Sequence, residues 1–280
     1  MKAPVYDTEL KKVKEIDLPP HFEEEVRPDL ISRAVLAIYS HKRHPYGAYE
    51  YAGLDTSAWT SKRRRNYRTS YGYGISRVPR AVLWGKPHYG GVFSWVARRV
   101  AQAVKGMKAH APTPEKNWYE KINKKERRKA IRSAIAATAN EYFVLNRYTK
   151  AKKWIEPVIK NYGLPLVIEG LEDLNKAKEV KQIFYKLFPE ELLEHFSETK
   201  QRAGKGKRRG RRIVKSRGIL LVVSDSSKPI WKAARNLEFL EVWPVRQLNA
   251  EVLAPGCKPG RLTVWTEEAI EILKNENLFY

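Results

Sequence analysis

The stretch Arg217-Gly218-Ile219-Leu220-Leu221-Val222-Val223-Ser224-Asp225 decides the fold class. An apolar run uninterrupted by polar residues suits a strand buried on both faces, as in a parallel sheet covered on each side. Pro165-Leu166-Val167-Ile168-Glu169 reads the same way. Downstream, the pattern predicts a helix over Pro229–Asn236, a strand over Leu240–Val245, a turn at Pro255, Gly256, Pro259 and Gly260, a strand over Leu262–Trp265 and a helix over Glu267–Asn275. Upstream, a helix is expected over Asn175–Leu187. The clearest helix spans Asn123–Tyr148, with Asn123 as its cap, Glu126 completing a capping box, and Ile131, Ala134, Ile135, Thr138 and Tyr142 as its buried stripe. Arg27-Pro28-Asp29-Leu30 starts another, ending near Ser40, with Leu30, Ile31, Ala34, Val35 and Ile38 on one face. Lys2–Ile16 reads as two short strands. Alternating strands and helices predict an α/β fold: a mostly parallel sheet with helices on both faces, plus a long extended internal loop.

The loop is announced by charge. The chain has 280 residues, 42% of them hydrophobic, and a net charge of +23. Its excess charge is concentrated in two places. His41–His110 carries 14 Lys/Arg against Glu50 and Asp55, and Lys200–Arg217 carries ten with no acid. The remainder has nearly equal numbers of acids and bases, as an ordinary globular body does. The expected division is a body over 1–43 and 111–280, an extension over 44–110, and a second basic arm over 198–217 within the body. The charge calls for an anionic partner.

The extension has little from which to build a core. Between His44 and Arg80 only Leu54, Ile75 and Val78 are aliphatic and larger than Ala, yet His44–Trp95 holds 11 aromatics and seven glycines. Aromatic faces interleaved with guanidinium groups suit unstacked bases and phosphates, stacking contributing roughly 1–3 kcal/mol per base. The competing reading is a disordered basic linker. Gly72, Gly74, Gly85, Gly90 and Gly91 permit tight reversals. Phe93–Met107 fits either a short helix or an extended return strand.

Other chemistries find less support. Gly204, Gly206 and Gly210 have the wrong spacing for a dinucleotide fingerprint and lack the Gly-Lys-Ser/Thr of a phosphate loop, and Gly72-Tyr73-Gly74 lacks a flanking strand and helix. His41 and His44, beside Lys42 and Arg43, are expected to meet phosphate or solvent. Glu190, Glu191 and Glu194 read as a solvated helix face. Asp225-Ser226-Ser227 is expected to cap the helix that starts at Pro229. The single Cys257 excludes an internal disulfide and a multi-cysteine zinc site. No metal or cofactor is expected. Met1–Leu18 has no signal-peptide core, and no stretch approaches the ~20 apolar residues of a membrane span, so a soluble, intracellular protein without a membrane partner is expected.

Several motifs, in this order, carry a resemblance: Arg27-Pro28-Asp29-Leu30-Ile31, Arg77-Val78-Pro79-Arg80, Ser133-Ala134-Ile135-Ala136-Ala137-Thr138-Ala139, Arg202-Ala203-Gly204-Lys205-Gly206-Lys207, Ala234-Arg235-Asn236-Leu237, Leu253-Ala254-Pro255-Gly256, and Gly260-Arg261-Leu262-Thr263-Val264-Trp265-Thr266-Glu267. Over about Val26–Leu273 the chain resembles the ribosomal protein L four family of the large subunit, in its archaeal and eukaryotic branch. The resemblance implies a non-enzymatic cytoplasmic protein of the ribosome that binds large-subunit ribosomal RNA and supports assembly. Its extension would help line the nascent-peptide exit tunnel, with neighbouring large-subunit ribosomal proteins and the nascent peptide as further partners. The alternative is a non-ribosomal RNA- or DNA-binding factor. The chain departs from the family by placing Trp84, His88, Tyr89, Phe93 and Trp95 where a Gly/Ser-rich stretch is usual, which implies stacking or local aromatic clusters in the returning limb.

The residues expected at RNA are Lys62, Arg63, Arg64, Arg65, Tyr67, Arg68, Tyr71, Tyr73, Arg77, Arg80, Trp84, Arg98, Arg99, Lys105 and Lys108 on the extension, and Lys205, Lys207, Arg208, Arg209, Arg211 and Arg212 on the second arm. By position in the family, Tyr71, Gly72, Tyr73, Gly74, Ile75, Ser76 and Arg77 form the tunnel-facing tip.

Overall fold

The computed structural model describes residues 1–65, 70–82 and 94–280, together with the backbone of Phe93. These fall into two compact units, Met1–Lys42 with Tyr119–Tyr280, and Arg43–Trp118. In chain order the elements are β1 (Lys2–Tyr6), β2 (Lys12–Asp17), α1 (Pro28–His41), β3 (Arg80–Val82), β4 (Phe93–Ala97), α2 (Lys124–Ala139), α3 (Glu141–Arg147), α4 (Lys152–Tyr162), β5 (Leu166–Ile168), α5 (Ala177–Leu187) and α6 (Glu190–Ser197). There follow β6 (Thr199–Gln201), β7 (Ile213–Lys215), β8 (Ile219–Val223), α7 (Pro229–Ala234), β9 (Leu240–Pro244), α8 (Ala250–Leu253), β10 (Thr263–Thr266) and α9 (Glu267–Asn275).

In the larger unit a six-stranded sheet runs in the order β2-β1-β5-β10-β8-β9. Only the β1–β2 pair is antiparallel, joined by a short turn; the other neighbours are parallel. The apolar run of β8 behaves as a doubly covered strand must. Ile219, Leu221 and Val223 pack on one side with Ile155, Phe184 and Phe196, while Leu220 and Val222 pack on the other with Val35, Ile135 and Leu273. Each such fully buried side chain contributes about 1.5–3 kcal/mol relative to exposure. Helices α1, α2 and α9 supply one layer, and α4, α5, α6 and α7 supply the other.

The Asn123–Tyr148 expectation needs correction. Two helices stand there, broken at Asn140, whose backbone is extended (φ −98°, ψ 116°) and whose side chain accepts from Tyr142 N at 3.0 Å to start α3. Asn is a poor interior residue and a strong cap, so the chain re-initiates there. Tyr142 accordingly lies outside the buried stripe and is exposed. At the other end Asn123 makes no side-chain cap, and Glu126 instead accepts from Arg33 of α1 at 3.0 Å. Helices α4 and α8 lie where no element was expected. Pro157 lies inside α4, where Trp154, Ile155, Val158 and Ile159 nevertheless keep a helical spacing.

Asp225 does not cap α7. It accepts from Ser226 N at 2.7 Å and Ser227 Oγ at 2.8 Å, closing its own turn, and Lys228 occupies the cap position without a side-chain bond. A short acidic side chain satisfies the nearest amide first.

Two glycines are fixed by close approach. A Cβ on Gly260, which sits at φ +84°, would lie 2.4 Å from the carbonyl carbon and oxygen of Phe143, and one on Gly218 would lie 2.0 Å from Phe239 O. Between them Arg261 is fully buried, donating to Gly218 O at 3.0 Å, Val252 O at 2.8 Å and Glu241 at 2.7 Å. Burial pulls the Arg261 pKa down, opposed by the Glu241 carboxylate. Burial pushes Glu241 up, but Arg261, Trp243 and Arg217 more than reverse this, leaving it below the ordinary carboxylate range.

In the smaller unit β3 and β4 pair antiparallel. Trp59 and Arg80 exchange both backbone hydrogen bonds, at 3.0 and 3.1 Å, extending the pair. Ala58, Ala81 and Val82 are buried beneath it, and Ser57 Oγ and Ser94 Oγ donate to Val82 O and Ala81 O. Of the two conformations that fit Phe93–Met107, the extended strand is the one adopted by Phe93–Ala97.

Candidate nucleic-acid interface

The smaller unit is built from cations, rings and reversals. Gly72 and Gly74 both have positive φ, +83° and +65°, with open space around them, so the chain turns sharply over Tyr71–Ser76. The Arg77 guanidinium lies 4.1 Å above the Tyr71 ring and donates to its hydroxyl at 3.2 Å; Arg64 approaches the same ring at 5.9 Å. Tyr73 stacks edge-on against Trp95 at 4.9 Å. Such contacts order the rings while leaving Tyr73 and Trp95 exposed.

The expected RNA residues of this unit divide by what they do. Arg80 donates to Trp95 O at 2.6 Å and to Ser76 O at 3.0 Å; Arg98 donates to Lys105 O at 2.8 Å, and Arg99 to Leu54 O at 3.0 Å and Ala58 O at 3.3 Å. These guanidinium groups organise the loop through its carbonyls. Lys62, Arg63, Arg64, Arg65, Lys105 and Lys108 are exposed on its surface. Tyr67, Arg68 and Trp84, with His88 and Tyr89, lie outside the described residues.

A third cluster escaped the sequence reading. Arg43 lies 4.8 Å from the Trp118 ring centroid, Lys116 5.5 Å, and Tyr46 packs on the same ring at 5.1 Å. The signal was present, since basic and aromatic residues continue past His110 to Trp118. His41, expected at phosphate or solvent, is exposed and stacks on Tyr119 at 4.7 Å.

The second basic arm is a hairpin of β6 and β7, with Thr199 opposite Lys215 and Gln201 opposite Ile213. A 3-10 turn over Lys205–Arg209 forms its end, and Gly210 follows in the left-handed region at φ +78°. Lys205, Lys207, Arg208, Arg209, Arg211 and Arg212 are all exposed. Lys200 pairs with Glu198 at 3.2 Å and Arg217 with Glu241 at 3.0 Å, but the cations between them have no carboxylate partner among the described residues. Like charges held this close repel unless an anion lies across them.

The carboxyl edge of the sheet holds a different cluster. Buried Glu172 accepts from Ser224 N at 2.6 Å, Thr266 Oγ1 at 2.5 Å and Ser224 Oγ. Burial and the neighbouring Glu268 raise its pKa, while Glu268, hydrogen-bonded by Glu172 and paired with Lys228, is lowered. Through the bonds it accepts, Glu172 ties the chain after β5 to the ends of β8 and β10. No group of side chains suited to a metal ion occurs among the described residues, and no helix there is long and apolar enough to cross a membrane.

A charge-balanced α/β body with an aromatic, cationic extension and a separate cationic hairpin is the class of polyanion-binding protein whose sites are surfaces. The model of the Ribosomal protein L4/L1 family matches residues 16–276, and the chain belongs to that family. It is 52% identical over 282 residues to a protein named Large ribosomal subunit protein uL4 from Nanoarchaeum equitans, covering 100% of both chains. Proteins of the same name from Methanopyrus kandleri and Archaeoglobus fulgidus are 45% and 44% identical, with 98% of each chain covered.

Proposed function

We propose that this chain is a structural, non-enzymatic constituent of the large ribosomal subunit that binds ribosomal RNA and contacts neighbouring ribosomal proteins in the cytoplasm. One observation carries the reading: two separate arrays of exposed cations stand on a body of balanced charge, within a chain whose relatives are large-subunit proteins over their full length. The binding energy is supplied by phosphate neutralisation and counterion release at Lys62–Arg65, Lys105, Lys108 and the hairpin. Rings such as Tyr71, Tyr73 and Trp95 contribute stacking. Arg80, Arg98 and Arg99 act indirectly, by fixing the loop that carries these groups.

The Tyr71–Arg77 turn is the part of the extension that faces the nascent peptide. Its support is the family's placement of this segment and the turn itself, which leaves Gly72, Tyr73 and Gly74 exposed at a reversal. Sedimentation of tagged protein from cells after a moderate salt wash tests the assignment. Stoichiometric recovery with large subunits is expected; a predominantly free pool would favour a non-ribosomal RNA- or DNA-binding factor.

A further inference from the structure

The hairpin and the extension are both basic, but they are chemically unlike. From Glu198 to Arg217 there is no aromatic residue, no histidine and no asparagine. The stretch thus offers no aromatic ring for stacking and, beside Glu198 and its guanidinium and ammonium groups, only Gln201 and the hydroxyls of Thr199 and Ser216 as polar side chains, whereas phosphate-binding groups are dense. In the Arg43–Trp118 unit, by contrast, Arg43, Arg64, Arg77 and Lys116 lie against aromatic rings.

The hairpin's cations are also held on a closed frame. Arg202 N donates to Arg212 O at 2.7 Å, Arg202 Nε to Arg211 O at 2.9 Å, and Arg211 N to Gly206 O at 3.1 Å. Gly204 and Gly210 turn the chain through the left-handed region, at φ +74° and +78°, at each end of the 3-10 turn. Arg202 thus closes the loop through its backbone N and its Nε. Lys205, Lys207, Arg208, Arg209, Arg211 and Arg212 project from it, exposed and without carboxylate partners among the described residues.

We propose that the loop 202–212 is a docking site for the phosphate backbone of double-helical RNA, distinct in ligand from the extension, which takes unstacked nucleotides. The proposal rests on the reading of this chain as a ribosomal RNA-binding protein. An A-form duplex hides its bases and presents rows of phosphates and 2′-hydroxyls, so it is recognised by charge and shape. It also condenses more counterions than a single strand, so releasing them favours the duplex wherever stacking is not available. A single strand gains most from a protein that supplies aromatic stacking faces, and the hairpin supplies no aromatic ring.

The test uses the full-length protein and a variant with Lys205, Lys207, Arg208, Arg209, Arg211 and Arg212 all changed to Gln. Circular dichroism and the thermal midpoint verify that the variant folds, as exposed positions should allow. Binding is measured against salt for an RNA duplex of about 16 base pairs, long enough for two successive minor grooves, and for one of its strands, chosen not to fold. The slope of log K on log salt for the duplex should fall by about 3–5 in the variant, at roughly 0.9 for each phosphate that is no longer neutralised. The single-strand slope should change by less than about one. An unchanged duplex slope, or equal losses on duplex and strand, would overturn the proposal. Sedimentation of the wild-type protein judges the ribosomal reading separately: stoichiometric presence in large subunits alongside an unchanged duplex slope would leave that reading standing and remove only this one.

Discussion

Arg261 and Glu241 form an ion pair, 2.7 Å between Nη2 and the carboxylate, in which the guanidinium is wholly buried and the carboxylate also binds Arg217 and the Trp243 indole. The pair joins β9 to the strand entry of β10 and receives the root of the basic hairpin. Removing one partner leaves the other buried and uncompensated, which costs more than the pair contributes. Glu241→Ala should therefore destabilise the protein by about 3–5 kcal/mol, and the double variant Glu241→Ala/Arg261→Met by less. Urea unfolding of the three proteins measures both effects, and a double variant as unstable as the single would contradict the pairing.

Glu172 offers a pH signature. Its folded pKa is raised, so its contribution is present below the ordinary glutamate value and is lost as pH rises through the raised one. Glu268 is lowered and acts in the opposite sense, its contribution being lost as pH falls. Glu172→Gln keeps an acceptor for Ser224 N and removes the titration. The difference in thermal midpoint, variant minus wild type, should grow more positive as pH rises from the acid limb through the raised Glu172 value. A difference that stays flat would show that Glu172 is ordinary.

Gly260 combines positive φ with a backbone neighbour where its Cβ would be. Gly260→Ala must therefore displace α3 from β10 or strain the turn, and a loss of more than about 1 kcal/mol is expected. Gly210→Ala is also at positive φ but has open space, so it should cost less. Thermal melts of both variants provide the comparison.

Sites Lys62–Arg65 are exposed on the extension, whereas the body strands are buried. Trypsin should cut the RNA-free protein first at these positions and at the exposed hairpin loop, and leave the body's core strands and helices intact. Mass spectrometry of the early fragments checks this, and initial cleavage within α2 or α5 would reverse the expected order of stability.

Shortening the tip needs boundaries set by the structure. Arg80 exchanges backbone hydrogen bonds with Trp59, so a deletion reaching Arg80 would unpair the strands. Removing Gly72–Gly74 alone spares that pairing and every exposed cation of Lys62–Arg65. Subunit incorporation should persist while cross-linking to nascent chains falls. Failed incorporation would make the turn an RNA anchor, and unaltered cross-linking would move the peptide contact elsewhere.

The six strands of the large sheet and most helices were legible because their signals are local, whereas the short exposed strands β6 and β7, and β3, carry no apolar run and were not. The run at Ile219–Val223 reports two-sided burial directly, and α1 and α9 show clean helical periodicity. The Asn140 break was not legible as such, because Thr138 and Tyr142 keep a helical i, i+4 spacing across it and only the capping bond shows that the chain restarts. At the interface, sequence identified where cations gather. It could not separate Arg80, Arg98 and Arg99, which bond to carbonyls, from the outward cations, since a guanidinium looks the same in either role until its acceptor is in place.

The extension is inserted between α1 and α2, two helices of one layer, and Glu120 N donates to Ser40 Oγ at 3.0 Å where its two ends meet the body. The length of an insertion clipped at its base enters the energetics only through loop-closure entropy, and doubling it adds just ~0.6 kcal/mol. A change in the arm's length therefore leaves the stability of the body's core almost untouched, because the clip between Ser40 and Glu120 closes the insertion whatever its length.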